Sequence, residues 1–320
     1  MTSSRAPLHP QTVRFLELLA EWGPQPGPPP TVAEMRAAVR RRTPYFGAPK
    51  PLPKVVDAAV AGPAGEIPVR IYNPAPERTL PVLVYFHGGG WVIGDIDSVD
   101  HICRDLAFRA RCVVVSVGYR LAPEHPFPAA VEDAWAVTAD VAGDPARYGA
   151  TARAVAVAGD SAGGNLAAVV AVRARDEGVS LVHQLLVYPV TDAAMDTPSY
   201  IDFASGYGLD SGGMAWFLDL YASGADRADP RLAPLRTADL TGVAQATVIT
   251  AECDVLRDEG EAYAGRLAEA GVDVALRRFA GVVHAFFVFL EIFDASLEAR
   301  AWAAGRLGSA FSASLEGDPA

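Results

Sequence analysis

Short apolar runs alternate with amphipathic stretches along most of the 320-residue chain. The apolar runs predict strands at residues 55–60, 68–72, 81–86, 112–117, 154–158, 181–188, 246–250 and 272–279. Apolar positions with helical spacing predict helices at residues 98–109, 129–142 and 165–176. We expect the first two strands to form an antiparallel edge. Strands that alternate with helices are typical of a mostly parallel sheet with helices on both faces, so the pattern predicts an α/β fold.

Two more helices are predicted before the first strand, outside this alternation. Residues 12–22 place large apolar side chains on one helical face, which suits a short amphipathic helix. A Pro-rich spacer follows at residues 23–30, and Thr31 with Glu34 has the pattern of a capping box. The box predicts a second helix that continues to about Arg42. These two helices form either a simple extension or part of a lid over an active site.

The composition narrows the class of protein. Hydrophobic residues make up 51% of the chain and charged residues 20%, which is typical of a globular protein. The net charge of -11 argues against nucleic acid or an anionic membrane surface as a partner, because both repel an acidic protein. The three cysteines show neither a disulfide framework nor metal-ligand spacing. With no apolar stretch of about 18 residues, we expect a cytoplasmic protein without stable membrane association.

The strongest chemical signal lies between a predicted strand at residues 154–158 and a helical pattern at residues 166–175. Gly159, Ser161 and Gly163 there form a Gly-x-Ser-x-Gly motif. A turn this sharp from strand to helix crowds its neighbours, so the positions two before and two after the serine must be glycine. A flexible glycine-rich loop is the alternative interpretation. The strand and helix on either side favour a nucleophilic Ser161 with an exposed hydroxyl.

Residues 87–91, His-Gly-Gly-Gly-Trp, follow another predicted strand. Consecutive glycines at Gly88, Gly89 and Gly90 favour a place where backbone amides approach something closely. In acyl-transfer enzymes of this architecture, an amide from such a loop joins the amide that follows the nucleophile, here Ala162, in an oxyanion hole.

A nucleophilic serine needs a histidine base and a carboxylate that orients it. Only two histidines follow the serine: His183 lies inside an apolar strand, whereas His284 comes directly after the last strand, so His284 is the predicted base. Asp254 follows a strand by a short loop and is the predicted acid. Glu252 and Asp258 are its competitors, the first closer to the strand and the second suited to capping the next helix.

The other histidines suggest no further chemistry. We expect His9 and His101 at the surface or on helices, and His125 in a Pro-rich loop. No cluster of histidine and acidic residues has metal-ligand spacing, so we predict no metal. Residues 87–91 also lack the Lys-Ser/Thr of a phosphate-binding loop, and we predict no cofactor.

Four motifs, at residues 87–91, 119–129, 159–165 and 254–260, resemble those of the bacterial hormone-sensitive-lipase-like esterases. These are the family IV lipolytic enzymes of the α/β-hydrolase superfamily. The motifs occur in the family's order, and the resemblance extends from about residue 55 to the C-terminus. One departure is valine at position 255, where many members have proline, and we expect it to alter the stiffness of the loop rather than the chemistry.

The resemblance implies an eight-stranded sheet and a helical cap. The cap helices fall at residues 1–50, and the catalytic domain at residues 51–320 with a further cap insertion at about residues 195–235. The catalytic triad falls on Ser161, Asp254 and His284. The oxyanion hole falls on Ala162 and two of the three loop glycines. The pair is either Gly88 and Gly89 or Gly89 and Gly90, so Gly89 belongs to both alternatives.

The function implied is a serine carboxylesterase that hydrolyses short- to medium-chain acyl esters through an acyl-enzyme. Six aromatic residues are candidates for the wall of an acyl pocket, with core packing as the equal alternative for each, namely Trp91, Phe203, Tyr207, Phe286, Trp216 and Phe217. The same triad suits an amidase or deacetylase acting on an N-acyl metabolite. A non-catalytic receptor of the same fold is disfavoured, because such receptors have lost the histidine that stands here at His284. Homodimers are common among similar enzymes, but no feature of the sequence proves one.

Overall fold

Eight strands form one sheet in the computed structural model, which describes residues 8–22, 31–150 and 154–316. The strands are β1 (Lys54–Gly62), β2 (Gly65–Asn73), β3 (Val82–Phe86), β4 (Val113–Val117), β5 (Val155–Asp160), β6 (His183–Val187), β7 (Ala246–Cys253) and β8 (Val274–Val283). Their order across the sheet is β1-β2-β4-β3-β5-β6-β7-β8. Pairing is antiparallel between β1 and β2 and between β2 and β4, and parallel elsewhere. The predicted α/β fold with an antiparallel edge is therefore confirmed.

Helices cover the sheet and extend beyond it. They are α1 (Pro10–Trp22), α2 (Val32–Arg41), α3 (Asp100–Ala110), α4 (Ala129–Gly143), α5 (Ala162–Asp176), α6 (Pro198–Asp202), α7 (Ser211–Tyr221), α8 (Arg257–Glu269) and α9 (Asp294–Glu316). Helix α3 packs against α9, and α4 packs against α5. None of the helices in the described residues has the length and apolar character needed to cross a membrane. The predicted spacer at residues 23–30 lies outside the described residues.

Helix α9 was not predicted from the sequence. Its buried face consists mainly of small residues such as Ala299, Ala303 and Ala304, and alanine also occupies exposed positions such as Ala301. Alanine is the best helix former, yet it marks no apolar face by itself. The periodicity that predicted the other long helices is therefore weak here.

The parallel strands bring the candidate chemistry to one edge of the sheet. The glycine loop at residues 87–91 follows β3, Ser161 follows β5, Asp254 follows β7, and His284 follows β8. Carboxyl ends of parallel strands lie side by side, so residues from four distant parts of the chain meet there. This edge is where ligands bind in open α/β sheets.

The two N-terminal helices are fastened to the catalytic end of the sheet. In α1, Phe15 packs on the ring of Phe289 with 4.8 Å between centroids. The predicted capping box at Thr31 is present at the start of α2. From α2, the Arg36 guanidinium donates to the carbonyl oxygen of Val92 at 2.9 Å and pairs with Glu124 at 2.8 Å. Helix α2 is thereby tied to the segment that follows the glycine loop.

The turn between β5 and α5 is strained and closely packed. Ser161 has φ 57° and ψ -118°, a left-handed conformation that is rare for a residue with a side chain. A Cβ atom on Gly159 would lie 2.7 Å from the carbonyl oxygen of Phe86, and one on Gly163 would lie 2.6 Å from that of His87. The two glycines are therefore required by contact with the end of β3, as the crowding argument predicted.

We predict that Gly163→Ala lowers the free energy of unfolding by roughly 1–3 kcal/mol, because the new methyl group overlaps backbone oxygens that side-chain rotation cannot move. The matched control is Gly265→Ala in α8, where nothing lies within 4 Å of the added carbon. That change should raise stability by about 0.5–1 kcal/mol through helix propensity. Urea unfolding of both variants checks the pair, and a Gly163→Ala protein as stable as the parent would contradict the packing argument.

Candidate active site

Three side chains from three loops form a continuous hydrogen-bonded chain. Nε2 of His284 lies 2.9 Å from Oγ of Ser161, and Nδ1 of the same ring lies 2.7 Å from Oδ2 of Asp254. Asp254 is 1% exposed and Ser161 is 8% exposed. A hydroxyl, an imidazole and a buried carboxylate in this order can pass a proton from the serine to the ring and stabilise the charge that results.

Asp254 is the acid that meets the histidine, and its two competitors have other partners. Its second oxygen, Oδ1, accepts the amide of Leu256 at 3.0 Å, which holds the carboxylate in place. Oε2 of Glu252 accepts the amide of Gly281 at 2.7 Å. Asp258 accepts the amide of Ser199 at 2.8 Å near the start of α8. The hydrogen bonds thus distinguish three acidic residues that were competing candidates in the sequence.

Buried side chains hold the segment that follows His284. Arg300 in α9 donates to the carbonyl oxygens of Phe287 at 2.7 Å and Val288 at 3.0 Å, and His101 in α3 donates to the latter from Nε2 at 2.8 Å. Burial lowers the pKa of His101 to about 3, so this ring is neutral near pH 7. His101 therefore lies on a helix, but it is buried and structural.

His284, the predicted base, also packs against an aromatic ring. The ring of Tyr188 lies next to that of His284, with 4.6 Å between centroids. Tyr188 follows β6, is buried, and has a left-handed backbone. The contact limits how far the imidazole can tilt away from the serine. Sequence inspection did not select Tyr188, because it lies at the end of an apolar strand like many core residues.

The backbone amides of the three loop glycines differ in whether they already have a hydrogen-bond acceptor. The amide of Gly88 donates to Oδ1 of Asp160 at 3.0 Å, and the same oxygen accepts the hydroxyl of Tyr85 at 2.9 Å. The Gly88 amide is therefore occupied, so its inclusion among the oxyanion donors is corrected. Within the described residues, the amides of Gly89 and Gly90 have no acceptor. Asp160 thus holds the start of the loop, and burial raises the pKa of its carboxyl.

A further donor comes from the other side of the site. Ala162 is the first residue of α5, where the first amides of a helix lack intrahelical acceptors. The loop after β3 and the start of α5 both line the cavity that contains Ser161, through Gly89 and Gly90 on one side and the serine on the other. Their free amides can hold the negative oxygen of a tetrahedral intermediate.

A cavity of about 330 Å³ opens on Ser161 and His284. Its wall is mainly apolar and comes from α1, α2, α7 and the loops after β3 and β8. The large apolar side chains that line it are Phe15, Leu19, Met35, Val39, Phe46, Ile93, Val99, Leu209, Met214, Phe217, Val288 and Phe289.

Four predicted substrate-binding aromatics do not line this cavity, and that prediction is corrected. Trp91 is fully buried and stacks on Tyr221 at 4.3 Å between centroids. Phe286 is also fully buried, and Phe203 packs edge-on against Tyr207 at 5.0 Å. Large aromatic rings gain most from burial, so Trp91, Phe203 and Phe286 contribute to the core instead, while Tyr207 is only partly buried.

Of the six aromatic candidates, Phe217 does line the cavity, and the sequence missed Phe15, Phe46 and Phe289. Phe15 belongs to the predicted amphipathic helix α1, whose apolar face was the available signal. Phe289 follows the 284–287 segment and carried no signal of its own. Which apolar residues border an empty space depends on packing between distant elements.

A buried glutamate was also missed. Oε1 of Glu259 accepts the amides of Thr191 at 2.7 Å and Asp192 at 3.2 Å, in the segment after β6. Burial raises the pKa of Glu259 to about 8. The residue lies near the start of α8, five positions after Asp254, so it ties the loop of the acid to its neighbour. Its place within the motif at residues 254–260 was the available signal.

Comparison with known proteins gives close matches. A family model described as an α/β hydrolase fold matches residues 83–288. LipN, a carboxylic ester hydrolase of Mycobacterium tuberculosis, is 46% identical over 74% of this chain and 65% of its own length. An ethyl acetate hydrolase of Pseudomonas putida is 42% identical over 69% of this chain and 71% of its own.

A solved structure is similar over almost the whole chain. It is a serine-to-alanine mutant of LAE6, an α/β hydrolase enzyme from the metagenome of Lake Arreo in Spain. It superposes with a TM-score of 0.91 and 40% identity, and the match covers 95% of this chain and 99% of LAE6.

We predict that Asp160→Ala lowers kcat for an activated ester by about 10-fold to 100-fold, because the glycine loop loses the acceptor that fixes Gly88. Asp160→Asn keeps an oxygen at Oδ1 and should stay within about tenfold of the parent protein. Steady-state kinetics of the two variants, with a urea unfolding curve for each, provide the test. An alanine variant with unchanged kcat would show that the loop keeps its position without this bond.

Proposed function

The chain belongs to the α/β hydrolase family, in its hormone-sensitive-lipase-like group, and is a carboxylic ester hydrolase; we propose that Ser161 is its nucleophile. In this proposal His284 is the general base and acid, and Asp254 orients the imidazole. The observation that supports it most directly is the chain of hydrogen bonds from Asp254 through His284 to Ser161, at 2.7 and 2.9 Å.

The reaction proceeds in two halves. Oγ of Ser161 attacks the ester carbonyl carbon while Nε2 of His284 takes the hydroxyl proton. The bond to the alcohol oxygen then breaks, and His284 returns the proton to that oxygen. In the second half, water gives a proton to His284 and attacks the acyl carbon. The bond between the acyl carbon and Oγ of Ser161 then breaks, His284 returns its proton to that oxygen, and the carboxylic acid leaves.

Charge stabilisation in this proposal comes from backbone amides. The amides of Gly89 and Gly90 on the loop after β3 and that of Ala162 at the start of α5 are the donors. They lack acceptors among the described residues and stand on segments that other bonds hold rigid. Donors fixed in advance need no reorganisation as the oxyanion forms, and a single one contributes about 10²–10³ in rate.

We place the acyl or alcohol group of a small ester in the cavity of about 330 Å³. This volume lies at the lower end of the usual range for ligand pockets, roughly 300–1,000 Å³. Together with the similarity to an ethyl acetate hydrolase, it supports short- to medium-chain acyl esters. We assign residues 1–50 and the insertion at about residues 195–235 to a cap over a catalytic domain of residues 51–320.

The expected cellular setting remains a prediction. The three cysteines, Cys103, Cys112 and Cys253, are free and buried, which supports a reducing compartment such as the cytoplasm. Homodimer formation also stays an expectation based on similar enzymes.

The first test is hydrolysis of 4-nitrophenyl esters from acetate to palmitate. We expect kcat/KM to peak at short or medium chains, because the cavity is small, and to fall at least about 10⁴-fold in Ser161→Ala. Circular dichroism should show that the variant remains folded. A variant with more than a few per cent of the parent rate would place the nucleophile elsewhere.

The second test separates the three neighbouring acids. Asp254→Asn should lower kcat by about 10⁴-fold, because an amide at this position favours the wrong tautomer of His284. Glu252→Gln and Asp258→Asn are the matched controls, and each should stay within about tenfold since neither contacts the histidine. An equal loss of kcat in all three variants would show that the reaction depends on the structure of the loop after β7 rather than on the carboxylate of Asp254.

A further inference from the structure

The cavity contains a cation that the proposed mechanism does not use. Arg42 follows the last residue of α2 and lines the cavity together with Ser161 and His284. Its Nε atom is buried without a hydrogen-bond partner in the described part of the chain. No carboxylate of that part forms an ion pair with it. An arginine side chain stays protonated near neutral pH, so an uncompensated positive charge borders the cavity.

The contacts of Arg42 leave this charge unneutralised. Its Cζ atom lies 5.8 Å from the centroid of the Trp22 ring, a cation–π contact. Burial and the adjacent Arg41 lower the pKa of Arg42 from its ordinary value. A partly buried charge without a partner is unfavourable, because it loses part of its hydration and gains no opposite charge in return. Packing alone would be served better by an uncharged side chain of similar length.

The other arginines of this segment are arranged differently. Arg36 forms an ion pair with Glu124 at 2.8 Å, and Arg40 lies 3.9 Å from Asp95. Arg41 is exposed to solvent. Arg42 is thus the one of the four that faces the reaction cavity without a carboxylate in the described residues.

The carboxylates that border the cavity have other partners. Oδ1 of Asp160 accepts the Gly88 amide and the Tyr85 hydroxyl. Oδ1 of Asp210 accepts the amide of Gly213 at 2.7 Å, at the start of α7. Neither forms an ion pair with Arg42. Among the described residues, no carboxylate that borders the cavity is therefore left to pair with the Arg42 guanidinium.

The local charge favours an anion at this place. The protein as a whole has a net charge of -11. Residues 32–42, in contrast, carry four arginines and a single acidic residue, Glu34. A positive segment at the rim of a cavity in an otherwise acidic protein attracts an anionic ligand to that cavity.

We propose that Arg42 binds a carboxylate carried by the ester substrate, so that the preferred substrates are esters with a free carboxylate at the end opposite the reacting bond. The proposal rests on the proposed function, because it places the reacting carbonyl at Ser161. The planar guanidinium matches a carboxylate with two parallel hydrogen bonds. The apolar wall of the same cavity, which includes Met35 and Val39, suits a methylene linker.

Two series of ester substrates test whether the preferred carboxylate lies on the acyl side or the alcohol side of the ester bond. Monoethyl esters of succinate, adipate and suberate carry it on the acyl side. Acetate esters of ω-hydroxy acids carry it on the alcohol side. Each is compared with a neutral ester in which an isopropyl group replaces the carboxylate, so the shape is kept and only the charge changes. Acid release is followed by pH-stat titration, and the measured quantity is the ratio of kcat/KM for the anionic and the neutral ester.

We expect this ratio to fall about 10-fold to 100-fold in Arg42→Met for at least one series, mainly through KM, because a charge-assisted hydrogen bond is lost. The neutral esters should change less than about threefold. Arg42→Lys keeps the charge without the planar fork and should retain part of the ratio. Arg41→Met is the matched control, since it removes an exposed charge one residue away, and its ratio should stay within about twofold of the parent.

An unchanged ratio in Arg42→Met over both series would overturn the inference, as would an equal fall in Arg41→Met or a parallel loss on neutral and anionic esters. These outcomes are distinct from failure of the proposed function. If neutral esters are hydrolysed by the parent protein and not by Ser161→Ala, the triad stands whatever the ratio does. If Ser161→Ala hydrolyses them equally well, the proposed function itself fails.

Discussion

The contact between the β5–α5 turn and the end of β3 is the constraint on which the rest of the site depends. Gly163 lies so close to the carbonyl oxygens of Phe86 and His87 that no side chain fits between them. The same approach lets Asp160 reach the amide of Gly88. One packed turn therefore fixes both the serine and the loop that faces it. The left-handed backbone of Ser161 is held by this contact, in keeping with strain that gathers at functional sites.

The other half of the site is held by buried polar groups. Arg300 and His101 bind the carbonyl oxygens just beyond His284, while Glu259 binds the amides beside the loop of Asp254. Polar groups inside a protein are costly unless they are bonded, and once bonded they strongly favour one arrangement. The loops that carry His284 and Asp254 are consequently held in place where they meet the serine. Rigidity of this kind keeps the reacting groups aligned before the substrate arrives.

The sequence was informative wherever the physical cause is local. Strand and helix patterns predicted all eight strands, and the turn chemistry around Ser161 predicted the glycines that the packing requires. The sequence could not show that the amide of Gly88, unlike those of Gly89 and Gly90, is already hydrogen-bonded, because its acceptor Asp160 lies 72 positions away in the chain. It also placed Trp91 in the pocket, although the ring is stacked on Tyr221 in the interior. Whether an aromatic ring lines a cavity or fills the core is decided by the elements that pack on it.

Two arginines of the α2 segment, Arg36 within the helix and Arg42 just after it, differ in their contacts. Arg36 binds the Val92 carbonyl and Glu124, which holds the helix against the catalytic end of the sheet. Arg42, six residues further on, has no such partner in the described residues and borders the cavity. No hydrogen bond of the described residues connects α2 to Ser161, His284 or Asp254. In the proposed function, substitutions after this helix would change which esters bind while the reacting groups keep their geometry. The separation follows because the proposed triad stands on loops of the sheet, whereas much of the cavity wall comes from helices outside it.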